Sequence, residues 1–145
     1  MERPFVVENT RQRERLRSLI LRSADADLER ILHDDWTVAV ALAHLAFWDR
    51  RAFNLLKSYK KSGTAFAPPA IDSESVNDAL APIARALKPR AAAELALSVA
   101  EAVDSELAIA SDDLIKSIEF LGLGWLLNRS KHRRIHLDEI EASAQ

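Results

Sequence analysis

Residues 37–63, TVAVALAHLAFWDRRAFNLLKSYKKSG, decide the architecture. Thr37 suits an N-cap, because its hydroxyl can accept a free N–H of the first helical turn, and Ser62-Gly63 supplies a stop. Between them the apolar residues do not keep to one stripe. They cover much of the circumference, the pattern of a helix surrounded by others rather than laid on a surface. Such a helix demands neighbours, and the flanking sequence offers them.

Upstream, a helix is predicted from about Asn9 into the low thirties, with Leu16, Leu19, Ile20, Leu28, Ile31 and Leu32 as its apolar positions, a break near Ala24-Asp25 and an Arg-rich outer face. Downstream, the loop SGTAFAPPAID is long enough to cross one end of a bundle. Asp72 or Ser73 can cap ESVNDALAPIARAL, and Pro89 suits the first turn of RAAAELALSVAEAVDSELAIA. These two stretches read equally as one kinked helix or two abutting ones. Ser111-Asp112-Asp113 offers a further N-terminus, with acids where the helix dipole favours them. Gly122 and Gly124 interrupt FLGLGW, so the last long helix is placed from about Trp125 to Ser143. The expectation is an all-α chain of four principal helices, a four-helix bundle forming a single domain over 1–145.

Composition narrows the function. At 145 residues the chain can bury about two thirds of the surface its unfolded form exposes, so no metal is needed merely to fold. Lys plus Arg (20) nearly balance Asp plus Glu (22), and a net charge of −2 gives no global pull toward nucleic acid or an anionic membrane. The absence of cysteine removes disulfides, thiolate ligands and thiol nucleophiles together. No secretory leader or membrane-length apolar run stands out, and the expectation is a soluble cytoplasmic protein.

The histidines carry the chemistry. His132 and His136 lie four apart on a predicted helix, about 40° apart around its axis and one turn along it, so both rings can reach one ion. Around His132 the helical projection gathers Trp125, Asn128, Arg129, Ile135, His136, Glu139 and Ile140. Lys131, Arg133, Arg134, Leu137 and Asp138 project largely elsewhere, and the basic Lys131, Arg133 and Arg134 are read as the wet side of the helix. A lone HxxxH also fits two half-buried rings bonded to neighbours. His44 changes the balance, because it sits among Val40, Ala41, Phe47 and Trp48, where an unsatisfied imidazole costs on the order of 1–3 kcal/mol. A metal shared with His132 and His136 would satisfy it and leave coordination positions open, as catalytic sites do. His33, in the polar HDDW, is read as solvent-exposed.

At these residues the chain resembles a family. WTVAVALAHLAFWD, VNDALAP and HRRIHLDEIEA are similar to the DinB/YfiT-like metalloprotein superfamily, whose members carry one His in the second helix and an HxxxH pair in the last. The likeness extends over essentially the whole chain. It implies His44, His132 and His136 as metal ligands, an up-down-down-up bundle that is often a homodimer, and zinc or nickel as the metal. Val40 stands where the family commonly has an acid completing a capping box. The mixed His/Glu/His set and additional C-terminal domain of the mycothiol-dependent isomerase branch are not seen, so maleylpyruvate isomerisation is not carried over.

The resemblance further implies joining a low-molecular-weight thiol, such as mycothiol or bacillithiol, to an electrophile. Glu139, one turn beyond His136, is the candidate for supporting a ligand or moving a proton, against the plainer reading of an ion pair with Arg133 or Arg134. Arg51, seven residues after His44, is the candidate for an anionic group of the thiol, against simple solvation at a helix end. Trp36, Phe47, Trp48 and Trp125 read as core or pocket wall. The alternatives are a metal-binding, stress-response dimer without catalysis and a metal-dependent hydrolase. Nucleic-acid binding through RSKHRR and RQRERLR is disfavoured by interspersed acids and the want of a recognised motif.

Overall fold

The computed structural model describes residues 2–144. Its order is α1 (Pro4–Arg22), α2 (Asp25–Leu28), β1 (Ile31–His33), β2 (Trp36–Thr37), α3 (Val38–Ser62), α4 (Ser73–Arg85), α5 (Pro89–Ile109), α6 (Asp112–Phe120), α7 (Gly124–Leu127) and α8 (Ser130–Ser143). The described chain is mostly helical, and none of its helices is long and apolar enough to cross a membrane.

α3 is bounded as its sequence predicts. Thr37 Oγ1 accepts from the Val40 amide at 3.1 Å, and Gly63, at φ 83°, donates its N–H to Tyr59 O at 2.8 Å. Left-handed backbone of this kind is what glycine adopts without a Cβ penalty. Every residue from Val38 to Ala46 is buried, whereas beyond Phe47 burial narrows to Asp49, Ala52, Leu56 and Tyr59. The first half is encased and the second is amphipathic. α3 packs most extensively on α5, where Ala92, Ala93, Ala96 and Ala100 are buried and their small side chains permit close approach. α1 lies against both α5 and α8, and α4 against α3.

Three expectations are corrected. The first helix starts five residues early, at Pro4, whose fixed φ suits the opening turn, and it stops at Arg22. Ile31 and Leu32 belong to a hairpin rather than to that helix: β1 pairs antiparallel with β2 across Asp34, at φ 45°, a conformation Asp tolerates better than most residues. The last helix starts at Ser130, because Asn128 is extended and separates it from the single turn of α7. The stretches either side of Pro89 are two separate helices, α4 and α5.

Two apolar clusters form the core. One contains Leu16, Leu19, Ala43, Ala46, Ala96, Ala100, Leu137 and Ile140; the other contains Ala52, Leu56, Val103, Leu107, Leu126 and Leu127. Along α1, α3, α5 and the α7–α8 segment, the residues between the clusters are polar and buried: Asn9, Asp49, Asp104, Arg129 and Arg133. Arg133 therefore does not belong to the solvated back of α8. It is 0% exposed, donating to Asp49 Oδ2 at 3.1 Å, to both Asp104 oxygens at 2.9 and 2.8 Å, and to the Asn9 carbonyl at 3.1 Å. Arg129 Nε donates to Asp49 Oδ1 at 2.8 Å. Leu137 likewise faces the core, while Ile135 is exposed. Lys131 and Arg134 are exposed as expected.

This belt also builds α8. Arg129, at its N-cap, makes no side-chain cap. Asn9 supplies one from α1, its Oδ1 accepting from the Arg129 and Ser130 amides at 2.8 and 2.9 Å while its Nδ2 donates to Leu127 O at 2.9 Å. A capping group borrowed across the fold ties the start of α8, and so His132, to α1.

Candidate metal centre

His44 comes from the second turn of α3, and His132 and His136 from successive turns of α8. The packing that buries α3 brings the rings together. His44 Nε2 and His132 Nε2 are 2.9 Å apart, and the three ring centroids are 4.7 to 4.9 Å from one another. One nitrogen from each ring lies within 4.8 Å of the other two. A tetrahedral ion about 2.0–2.1 Å from each nitrogen holds its ligand atoms about 3.3 Å apart, so small ring rotations suffice. The donor set fits a divalent metal.

Electrostatics favour the unprotonated rings that a metal requires. Burial, reinforced by the neighbouring His136, pushes His44 down to about 4, and burial with His136, His44 and the flanking arginines pushes His132 down to about 3. Burial also lowers His136, with the Glu139 carboxylate opposing it. Glu139 Oε1 is 2.7 Å from His136 Nδ1. That contact fixes the proton on Nδ1 and leaves Nε2 free for an ion, the usual carboxylate support of a ligating histidine. Glu139 is thus paired with His136 rather than with Arg133 or Arg134. Within the trio, His44 Nδ1 is buried without a hydrogen-bond partner.

The trio forms one wall of a cavity of about 790 Å³, within the size range of small-molecule sites. Trp36, Trp48 and Trp125 line it, as read from the sequence; Phe47 lines a neighbouring groove instead. Trp48 is held by donation from Nε1 to Asn77 Oδ1 at 2.9 Å. Arg51 also lines the cavity, its guanidinium 5.3 Å from the Trp125 ring and 5.9 Å from the Trp48 ring. It makes no ion pair among the described residues.

His33 is brought closer than the sequence suggested. Its side chain is 46% exposed, yet its ring stacks on Trp36 at 5.6 Å, its Nε2 lies 3.6 Å from Glu139 Oε2, and it lines the same cavity. The hairpin that places it there had no clear periodic signal. Asn77 carries no sequence signal of its own, whereas Asp49 is a lone Asp five residues after a buried His in an Ala/Leu helix. Compared with protein-family models, curated protein sequences and solved structures, the chain matches none.

Proposed function

We propose that this chain is a divalent-metal-binding protein of the DinB/YfiT-like type, a homodimeric four-helix bundle of α1, α3, α5 and α8 that acts as a low-molecular-weight-thiol S-transferase. The observation that carries the reading is the convergence of His44, His132 and His136 on an open cavity. Three imidazoles suit zinc or nickel and leave room for an exogenous ligand. A divalent ion held there supplies Lewis acidity that makes a thiol ionise near neutral pH. The chain's own residues do the rest. Glu139 orients His136, the three tryptophans line the cavity, and Arg51 offers a positive charge to an anionic group of the thiol. With no cysteine in the chain, the nucleophilic sulfur comes from outside.

The test has two parts. Purified protein is expected to hold one zinc or nickel ion per chain, and His44→Ala, His132→Ala and His136→Ala are each expected to abolish that binding. One-to-one binding retained in any single variant sinks the three-His assignment. Metal-loaded protein is then mixed with mycothiol, bacillithiol or glutathione and simple electrophiles, and thiol loss is followed. Metal binding without thiol consumption leaves a non-catalytic metal protein. Light scattering checks the dimer.

A further inference from the structure

The metal-site cavity has a neighbour across Arg51. A second cavity of about 770 Å³ runs between α3, α4 and α5, and the two share Arg51, Pro69, Ala70 and Ile71 in their walls. The second cavity is lined mostly by carbon, including Phe47, Leu80, Ile83 and Leu95. Ile83 and Leu95 are 64% and 45% exposed, so its apolar wall is open rather than filled by the protein's own core. No Asp or Glu lines either cavity, and the charged side chains lining the apolar one are Arg50 and Arg51, both cationic.

Arg51 stands where the two spaces meet. It has no carboxylate partner among the described residues and is flanked by the faces of Trp48 and Trp125. A guanidinium left unpaired between aromatic rings suits recognition of a carboxylate or phosphate. From this adjacency, and because the charged side chains lining the apolar space are all cationic, we propose that this site also takes an anionic amphiphile, which competes with the thiol for Arg51. Its hydrocarbon chain lies in the α3–α4–α5 groove, its anionic group pairs with Arg51, and its polar reacting end extends over the three histidines. The last clause rests on the metal reading above; the chain and anion subsites do not.

Decanoate is the probe, with butyrate as the short-chain control and decylamine as the cationic control, titrated calorimetrically into metal-free and metal-loaded full-length protein. Decanoate is expected to bind one-to-one and more tightly than both controls. Arg51→Gln is expected to weaken it at least about tenfold, the lower end of what a charge-assisted hydrogen bond contributes. Ile83→Asp, at an exposed position of the groove wall, is expected to erase the advantage of decanoate over butyrate. Circular dichroism verifies that both variants fold. Equal binding of decanoate and decylamine, no chain-length dependence, or a dimer whose formation excludes decanoate overturns the proposal. Arg51-dependent decanoate binding by protein that takes up no metal upholds the amphiphile site and sinks the metal reading. Stoichiometric metal without decanoate binding does the reverse.

Discussion

Removing the Asp49 carboxylate tests the buried polar belt. Its side chain is 3% exposed and accepts from Arg129 and Arg133 at 2.8 and 3.1 Å. In Asp49→Ala, Arg133 keeps both oxygens of Asp104, but Arg129 keeps only the Trp125 carbonyl at 3.0 Å. Stranding one partner of a buried pair costs about 3–5 kcal/mol. Because Arg129 also lines the open cavity, water recovers part of that, and a loss of about 3 kcal/mol is expected. Asp104→Ala should cost more, toward about 5 kcal/mol, since it leaves the fully buried Arg133 only Asp49, which it shares with Arg129, and the Asn9 carbonyl, and also releases Arg13 at 2.8 Å. For a chain of this size the Asp49 variant should melt roughly 6–12 °C lower. Urea unfolding of metal-free protein, followed by far-ultraviolet circular dichroism, measures both. Asp49→Leu combined with Arg129→Met should recover most of the loss, because it removes both charges rather than one. A loss below about 1 kcal/mol for Asp49→Ala, or an Asp49 effect exceeding that of Asp104, would refute the account of the belt.

Further outcomes follow from the site and the caps. Glu139→Gln should weaken zinc affinity about 10- to 100-fold in a competition titration, as loss of carboxylate support does, with little change in the fold. Unfolded imidazoles take up protons near 6.5, while folded His44 resists until about 4 and His132 until about 3. The unfolded state therefore holds more protons in this window, and stability present above about pH 6.5 is lost as the pH falls toward 4. His44 alone accounts for on the order of 3 kcal/mol. Urea midpoints between pH 7 and 4 should fall for the metal-free protein and fall less for His44→Gln; parallel curves would contradict this. Thr37→Ala should cost about 1 kcal/mol in the same assay and leave metal stoichiometry unchanged.

Much of the fold was legible because its signals are local. Thr37, Gly63, Asp72 and Ser111 cap or stop helices through contacts within a few residues, so the ends of α3 and the starts of α4 and α6 could be read directly. The four-residue spacing of His132 and His136 survived for the same reason: it depends only on helical periodicity. Non-local features were not legible. The β1–β2 hairpin overrode a helical reading of Ile31 and Leu32, and it carried His33 to the cavity. The start of α8 depends on Asn9, more than a hundred residues away.

The chain by itself determined a mostly helical protein without cysteine chemistry, with two histidines on one helix and a third on another. Tertiary structure decided which polar residues go inside. Helical projection sent Arg133 to solvent and could not see Asp49 or Asp104, because a buried cation is tolerated only where carboxylates from other helices meet it. Packing likewise turned three separate imidazoles into one cluster. Periodicity sets the direction of a side chain around its own axis, but what it meets there depends on which helices stand alongside.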